Sequence, residues 1–324
     1  MRSFRLVPDD THVDFMRYRL VCLPASLAAI LLSLLLVFWP GLNYGIDFEG
    51  GLLMEVETPA TPDLGEMRDR LGALDRGGVA LQEFGAPNDI LIRLQLKEEG
   101  EAAVQEAVTA VKSELEEMFG EGVSYRRTEV VGPKVSEELL TDGLLAIAIS
   151  IVAVLIYIWF RFEWQYGLGA VAALLHDTFT TIGLFALTGL EVNLSTVAAV
   201  LTIVGYSLND TVVVFDRVRE NVRRYKSMPM LELLDLSINE TLARTLMTSL
   251  TTLLALVALW AFGGEVIRGF TLAMIWGVLV GTYSTVYIAT PVLVYLDLRS
   301  NAGTADGADK TTPGKPAPRP TGGG

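Results

Sequence analysis

Long apolar segments constrain the fold of this chain more than any other feature of its sequence. Six of them occur, at residues 20–39, 139–159, 168–190, 194–215, 242–262 and 270–295. A run of about 18 apolar residues is long enough to cross the hydrocarbon core of a membrane as a helix. The pattern therefore predicts a polytopic α-helical membrane protein with six transmembrane helices.

The first apolar segment has features of both a signal peptide and a permanent membrane anchor. Arg17 and Arg19 precede it, and Pro40 and Gly41 end it. The segment is long for the apolar core of a signal peptide, and no A-x-A cleavage site follows it. We therefore expect a retained transmembrane helix at 20–40.

The stretch between the first and second apolar segments has the composition of a folded domain and carries most of the negative charge. Residues 41–138 contain 21 Asp and Glu against 9 Lys and Arg, a net charge of −12 out of −13 for the whole chain. Residue patterning predicts strands at 51–57, 78–84, 89–96 and 123–131 and helices at 63–74 and 98–119. This βαββαβ order predicts an α+β ferredoxin-like domain over 41–138.

Basic residues indicate the orientation in the membrane. They lie before the first apolar segment and after the second, fourth and sixth, at Arg2, Arg5, Arg17, Arg19, Arg161, Arg217, Arg219, Arg223, Arg224, Lys226 and Arg299. With six crossings these positions share one side, which the positive-inside rule assigns to the cytoplasm. We expect residues 1–19 and a loop at 216–241 to be cytoplasmic and the acidic domain to lie outside, in the periplasm of a Gram-negative cell.

Composition also predicts the extent of the C-terminal helical region and the nature of the tail that follows it. Transmembrane helices two to six are expected within 139–298. The tail at 299–324 is rich in Gly, Pro, Thr and Ala, so it cannot bury enough apolar surface to fold, and we expect it to be disordered and cytoplasmic.

Several kinds of site lack sequence support. The single cysteine, Cys22, lies in the first apolar segment, and the two histidines do not form a cluster with zinc-site spacing. No G-x-S-x-G, Walker A or H-E-x-x-H motif is present. We expect no metal, no cofactor, no nucleic-acid partner and no enzymatic activity, so any energy must come from a partner or from the membrane gradient.

Asp210 is the most informative ionisable residue because it lies inside the fourth apolar segment, next to Asn209. It precedes Asp216 by six residues, which places it about 9 Å deep along a helix. Ionisable groups are costly within a membrane and often mark functional sites. The carboxylate either binds and releases a proton or is permanently paired with an arginine that holds two helices together.

Arg244, near the start of the fifth apolar segment, is the natural partner of that carboxylate. An arginine stays protonated and favours the ionised form of a nearby carboxylate. Alternatively, its side chain reaches the cytoplasmic surface. The same segment has a polar face made of Thr245, Thr248, Ser249 and Thr252, which either packs against a neighbouring helix or lines a proton path.

Further polar residues lie in the third and fourth apolar segments. His176 and Asp177 are neighbours, and side chains of adjacent residues are about 100° apart on a helix, so we expect them to face different surroundings. With Ser207 they form a possible polar core, for which a structural role and a proton relay are both open. Residues 216–226 are expected to form either an amphipathic surface helix that meets anionic lipid or a partner, or a solvated basic loop.

Motifs along the chain are similar to those of a known family. They are GIDFEGG at 45–51, VGP at 131–133, GYSLNDTVVVFDRVREN at 205–221, TLARTLMTSLTT at 241–252 and FGGEVIRGF at 262–270. The chain resembles the SecF family of bacterial protein-export membrane proteins, within the SecD/SecF group of the RND superfamily. The similarity extends from the N-terminal region to about residue 299, and the fourth-segment motif is its most specific part.

The resemblance implies a function that composition alone does not. SecF-type proteins pair with SecD to form twelve helices in the bacterial inner membrane and use the proton motive force to promote translocation of unfolded secreted polypeptides through SecYEG, often with YajC. Asp210 and Arg244 match the family's proton-coupling residues, and we place Asn209 and Thr248 beside them. The alternative is a non-catalytic scaffold that stabilises SecD or the channel.

The same motifs suggest how an outer domain is attached. A proton entering near Asp210 is expected to shift the fourth and fifth helices and to move the outer domain. Glycine occurs at both attachments of that domain and proline at one of them. We therefore expect hinges at Gly45, Gly50, Gly51, Gly132 and Pro133.

Overall fold

The computed structural model describes residues 11–96 and 101–296. The predicted N-terminal segment up to residue 10, the start of the predicted helix at 98–119 and the predicted tail lie outside these residues. The described elements are, in chain order, α1 (Arg19–Phe38), β1 (Asn43–Tyr44), α2 (Ile46–Glu49), β2 (Gly51–Glu57), α3 (Leu64–Ala73), β3 (Val79–Phe84), β4 (Ala86–Leu94), α4 (Glu101–Phe119), β5 (Ser124–Val131), α5 (Pro133–Arg161), α6 (Trp164–Thr188), β6 (Glu191–Val192), α7 (Leu194–Arg224), α8 (Met230–Phe262), α9 (Arg268–Ser284) and α10 (Thr290–Tyr295).

Among the described residues, six helices are long and apolar enough to cross a membrane. They are α1 with the preceding turn at Phe15–Tyr18, α5, α6, α7, α8, and the continuous helix formed by α9, the π-helical turn Thr285–Ala289 and α10. The prediction of a polytopic helical membrane protein with six spans is confirmed.

The six spans are buried to very different extents. In α6, α7 and the last span, 56%, 50% and 61% of the most apolar stretch is buried, whereas the figure is 11% in each of α1, α5 and α8. The first three therefore form the inside of the bundle. The other three present broad apolar faces to their surroundings.

Small residues bring the inner helices close together. A Cβ atom added to Gly277 of α9 would lie 2.3 Å from the Ile203 side chain of α7, and one added to Gly281 would lie 3.0 Å from the Cβ of Ser207. Glycines four residues apart permit this kind of close helix approach in membranes. The α7–α9 pair is thus packed backbone to backbone.

The helices that flank the predicted loop at 216–241 extend well into it. Residues 216–224 continue α7 instead of forming a separate surface helix, and α8 begins at Met230. The physical reason is that no helix-breaking residue precedes Tyr225, whereas Pro229 is well placed just before the first turn of α8. Only 225–229 connect the two helices.

A four-stranded antiparallel sheet forms the domain between α1 and α5. The strand order is β3-β4-β2-β5, with α3 following β2 and α4 following β4. One face of the sheet packs against the helices in a core made of Leu52, Met54, Val56, Met67, Leu71, Ile90, Ile92, Leu94, Ala107, Val111 and Leu115. The alternation along β2 and β4 explains why this face is apolar.

Strand β4 begins and ends earlier than the sequence pattern predicts. It covers Ala86–Leu94 and pairs with both β2 and β3. The apolar run in the sequence starts only at Ile90, so the pairing of Ala86 and Asp89 with the neighbouring strands could not be read from it. The difference shortens the β3–β4 connection to Gly85.

Among the described residues, three attachments join the sheet domain to the helical bundle. Two are covalent, at the ends of α1 and α5. The third is a parallel pairing of β1 with β6, which lies in the connection between α6 and α7. This pairing brings the outer end of the inner helices against the domain.

Candidate functional site

Asp210 lies inside α7 and is almost completely buried, with 2% of its surface exposed. Within the part of the chain that the structure describes, its Oδ2 atom has no hydrogen-bond partner. The Ser249 hydroxyl and the Arg244 guanidinium, both on α8, are the side chains that interact electrostatically with the Asp210 carboxylate. A buried carboxylate with an unbonded oxygen is unusual, because burying a polar group without a hydrogen bond is costly.

The other predicted coupling residues lie at the edge of the same region. Arg244 and Asn209 are exposed in this single chain, and Thr248 is half-buried. No carboxylate among residues 11–96 and 101–296 lies within ion-pair distance of Arg244, so Asp210 and Arg244 form no direct salt bridge in this structure. The Thr248 hydroxyl donates to the carbonyl oxygen of Arg244 at 3.1 Å.

The polar face predicted on α8 divides into two parts. Thr245 and Ser249 are buried toward the bundle, while Thr248 and Thr252 are half-buried. Ser249 Oγ lies 2.8 Å from Thr282 Oγ1 of α9, which links α8 to the inner helices. Part of this face therefore packs against α9 beside Asp210.

Asp177 forms a second buried carboxylate site with different surroundings. Its Oδ2 accepts hydrogen bonds from Ser207 Oγ of α7 at 2.6 Å and from Ser284 Oγ of α9 at 2.7 Å. Its Oδ1 lies 3.0 Å from His176 Nδ1. One carboxylate thus ties α6, α7 and α9 together, and the three residues of the predicted polar core meet here.

The expectation that His176 and Asp177 face different surroundings is wrong. Both are buried, with 4% and 1% exposed, and their side chains bond to each other. Helix α6 packs against α1 on one side and against α7 and α9 on another. Its buried surface is therefore wide enough to include both His176 and Asp177, although the two are neighbours in sequence. The ring of Tyr283 covers His176 at a centroid distance of 5.9 Å, and its hydroxyl lies 2.9 Å from Ser26 Oγ of α1.

Several hydroxyl groups of the polar cluster were missed by sequence analysis. Ser284 bonds Asp177, and Thr211 Oγ1 lies 2.8 Å from Thr285 Oγ1, one turn along α7 from Ser207. Thr285 begins the π-helical turn, and π-helical turns often occur at functional sites. The available signal was the run of Thr282, Ser284 and Thr285 beside Gly281 in an otherwise apolar segment.

The glycines predicted as hinges have distinct environments. Gly50 and Gly51 have φ angles of +72° and +122°, and a Cβ on Gly51 would lie 2.4 Å from the carbonyl oxygen of Leu94. Both positions therefore require glycine. Gly132 has open space around it and is followed by Pro133, the first residue of α5.

Gly45 lies in a contact between the sheet domain and the bundle. Its N–H donates to the carbonyl oxygen of Val192 at 2.9 Å, and a Cβ added to it would collide with the Glu191 side chain. Asp47 of the same motif accepts a hydrogen bond from the N–H of Leu194, the first residue of α7, at 2.9 Å. The motif after α1 thus holds the outer end of α7.

An ion pair spans this contact. Arg93 of β4 pairs with Glu191, and its Nη1 also donates to Asn43 Oδ1 at 3.0 Å. Burial raises the pKa of the Glu191 carboxyl above its ordinary value, with nearby Asp47 adding to the effect and the Arg93 guanidinium opposing it. A cavity of about 290 Å³ opens beside the pair, between the sheet and the outer ends of the helices.

The two buried carboxylates differ in what they can do. Asp177 has its oxygens bonded by three side chains, which suits a structural role. Asp210 has an unbonded oxygen and faces a cation on another helix. Within the described residues, no group of three or more His, Cys, Asp or Glu side chains is arranged to hold a metal ion.

Comparison with known proteins gives consistent results. Residues 110–299 match the family model described as protein export membrane protein SecD/SecF, C-terminal, and residues 40–58 match the SecD/SecF GG motif. The protein translocase subunit SecF of Rhodobacter capsulatus is 44% identical over 318 residues, which are 94% of this chain and 95% of that protein. SecF of Rickettsia bellii is 45% identical over 292 residues, covering 89% and 95%.

A solved structure shares the fold but is longer. The crystal structure of SecDF from Thermus thermophilus, a translocon-associated membrane protein, matches with a TM-score of 0.79 and 35% identity over 90% of this chain. The match covers 39% of the SecDF chain, so the present chain spans about two fifths of that protein. The similarity extends across both the sheet domain and the helices.

Proposed function

Because this chain belongs to the SecD/SecF family of protein export membrane proteins, as a SecF subunit, we propose that it uses the proton motive force to promote export. In this proposal it acts with SecD beside the SecYEG channel, with YajC as an accessory partner, and helps unfolded secreted polypeptides to cross on the periplasmic side. The role is one of transport and involves no enzymatic chemistry. The observation that carries the proposal is the buried, partly unbonded carboxylate of Asp210 opposite Arg244.

The energy available to such a site is sufficient to drive a conformational change. One elementary charge crossing about 100 mV releases roughly 2.3 kcal/mol, which biases a two-state equilibrium by roughly 50-fold. Protonation of Asp210 would cancel its attraction to Arg244 and allow α8 to move relative to α7. The inner helices α6, α7 and α9 stay together through Asp177 and the close glycine contacts.

The SecD half would cover the exposed face of α7 and α8. On α7 this face is a stripe of small and polar residues, Ala198, Thr202, Gly205 and Asn209, spaced as one side of a helix. On α8 it includes the exposed Arg244. Small residues favour close helix contacts, and a charged group is costly against lipid, so a protein partner fits this face better than acyl chains do.

The sheet domain would be the periplasmic, ferredoxin-like part of the protein. Its strand order β3-β4-β2-β5 with two helices on one face supports that fold assignment. The proposed topology puts it outside the inner membrane and both termini in the cytoplasm. Gly50, Gly51, Gly132 and Pro133 would let it move once the contact at Gly45 and Glu191 opens.

Substitutions at the coupling pair test the transport role. We expect Asp210→Asn and Arg244→Lys each to abolish the part of export that an uncoupler removes from the wild type, measured with inverted membrane vesicles that contain the complete complex. Asp142→Asn is the matched control, because Asp142 is an aspartate that is exposed on α5. Full, uncoupler-sensitive export by both variants would favour the alternative, a scaffold that stabilises SecD or the channel.

Proteolysis tests the orientation independently of activity. Trypsin added to spheroplasts should cut at Arg68, which is exposed on α3 of the sheet domain. A basic site at the opposite end of the bundle, Arg224, should be cut only after the membrane is opened. Protection of Arg68 in intact spheroplasts would overturn the proposed topology.

A further inference from the structure

A cleft at the end of α7 concentrates positive charge. It has a volume of about 470 Å³ and is lined by Arg161 of α5 and by Asp216, Arg219, Glu220, Arg223 and Arg224 of α7. It lies at the opposite end of the bundle from the sheet domain. Neither the proton-coupling site nor the contact at Glu191 involves these side chains.

Both acidic residues of the cleft are already paired. Asp216 accepts two contacts from Arg161 Nη2, at 2.6 and 2.7 Å. Glu220 pairs with Arg217 at 2.6 Å, and Arg217 lies outside the cleft lining. The negative charges are therefore neutralised by residues other than the three arginines that remain.

Arg219, Arg223 and Arg224 have no carboxylate within ion-pair distance in the described part of the chain. The Nε atom of Arg219 is buried there without a hydrogen-bond acceptor. Arginines in the last helical turn are favoured by the helix dipole, but Arg219 lies more than a turn before the end of α7. Three guanidinium groups that line one cleft, one of them with an unused donor, are suited to a phosphate, which accepts several such bonds.

Exposed aromatic side chains place the cleft at the level of the lipid headgroups. Trp159 and Phe160 precede Arg161, and Trp164 follows it; all three are largely exposed. Aromatic residues, tryptophan above all, are enriched where a membrane meets water. The guanidinium groups thus lie where lipid phosphates lie.

An apolar surface leads from the cleft into the membrane. Leu145, Ile149, Val152 and Ile156 of α5 are exposed and spaced as one side of a helix that ends at the aromatic residues. Such a surface can contact acyl chains along its length. A free phosphate ion or an acidic peptide would make no use of it.

We propose that this cleft binds the phosphate group of an anionic phospholipid, held by Arg219, Arg223 and Arg224, with the acyl chains along α5. Basic pockets between membrane helices are suited to anionic headgroups for this reason. The Arg161–Asp216 pair forms one wall and joins α5 to α7. The bound lipid would therefore fix the position of α5, most of whose apolar stretch is exposed, against the inner helices.

Lipid retention by the full-length chain tests the proposal. The purified protein is titrated with phosphatidylglycerol or phosphatidylcholine in detergent, and bound lipid is counted by native mass spectrometry. We expect preferential retention of phosphatidylglycerol, weakened roughly 30-fold in the Arg219→Gln/Arg223→Gln double variant, since each basic residue near a membrane surface contributes about one kilocalorie per mole. Arg17→Gln/Arg19→Gln is the control, because it removes the same charge from the other basic segment on that side.

The outcomes separate the alternatives. The proposal would be overturned if the Arg219→Gln/Arg223→Gln variant retained as much phosphatidylglycerol as the wild type, or if the control variant lost as much. It would also be overturned if phosphatidylcholine bound equally well, or if millimolar sodium phosphate or a polyglutamate peptide displaced the lipid. Circular dichroism checks that the variant is folded. If it is not, Arg219→Lys/Arg223→Lys keeps the charge without the planar fork, and we expect a smaller but measurable loss of phosphatidylglycerol retention.

Discussion

Replacing Asp177 with asparagine probes how the inner helices are held together. The amide has almost the same size as the carboxylate but lacks its charge and one acceptor oxygen. The two bonds at risk join α6 to α7 and to α9, at 2.6 and 2.7 Å. Hydrogen bonds between membrane helices contribute about 0.6 kcal/mol on average and up to about 1.7. We therefore expect Asp177→Asn to lower the free energy of unfolding by roughly 1–3 kcal/mol.

The same substitution at Asp210 should have a different effect on stability. One oxygen of that carboxylate is buried and unbonded, so little is lost when the charge is removed. Burying an unpaired charge is unfavourable. We expect Asp210→Asn to leave the free energy of unfolding unchanged or to raise it, even though the proposed function requires it to abolish proton coupling.

Unfolding of the purified chain by sodium dodecyl sulfate in mixed micelles measures both effects, with circular dichroism following the helices. A double-mutant cycle with Ser207→Ala and Ser284→Ala should be non-additive, because both hydroxyls bond the same oxygen. Equal destabilisation by Asp177→Asn and Asp210→Asn would refute the assignment of a structural carboxylate and a coupling carboxylate. So would an Asp177→Asn variant as stable as the wild type.

Three further predictions concern packing, capping and pH. Gly277→Ala places a methyl group against Ile203 and should cost about 1–3 kcal/mol in the same unfolding assay, whereas Gly205→Ala, with open space around it, should not destabilise the isolated chain. Asp63 accepts hydrogen bonds from the N–H groups of Gly65 and Glu66, so Asp63→Ala should destabilise α3 by about 1 kcal/mol and speed hydrogen exchange of its amides; unchanged exchange would contradict the capping role. Burial raises the pKa of the Glu191 carboxyl, so this group binds a proton more tightly when the contact is closed than when it is open. Protonation therefore stabilises the closed contact. This stabilisation is complete below the ordinary pKa of a glutamate and is lost as the pH rises through the raised pKa. Spin labels at Ser113→Cys and Leu187→Cys, in a Cys22→Ser background, should therefore give a narrower distance distribution at mildly acidic pH than at neutral pH. The Glu191→Gln substitution should remove this pH dependence. A distribution that narrows as the pH is raised would contradict the prediction.

The spans and the inward position of Asp210 could be predicted because they depend on local properties. Length and apolar composition suffice to identify a membrane helix. A single acidic residue in such a helix stands out by its cost. The predicted strands also lay close to the observed ones, since alternation in β2 reflects the one face that packs on the helices.

The partners of the polar groups could not be predicted, because they come from distant parts of the chain. Ser284 is 107 residues from Asp177, and Glu191 is 98 residues from Arg93. Periodicity along one helix does not reveal which helix lies opposite. For the same reason the mutual contact of His176 and Asp177 was missed, since it depends on α6 being packed on two sides.

The ends of α7 and α8 were misjudged for another reason. The apolar run marks the part of a helix that lies in lipid, but the helix itself ends where its backbone is interrupted. Asn221 Nδ2 bonds Ser237 Oγ at 3.0 Å and Glu240 Oε2 at 2.7 Å, so the two polar extensions pack against each other. Such polar contacts leave no trace in hydropathy.

The three attachments of the sheet domain differ in stiffness. Two rest on α1 and α5, which lie at the outside of the bundle with little of their surface buried, and one rests on the connection between the inner helices α6 and α7. A force on the domain would therefore move α1 and α5 before it displaced the connection between α6 and α7. As long as the Glu191 contact stays closed, we expect the domain to tilt about it, so that a force applied outside the membrane inclines α1 and α5 within it.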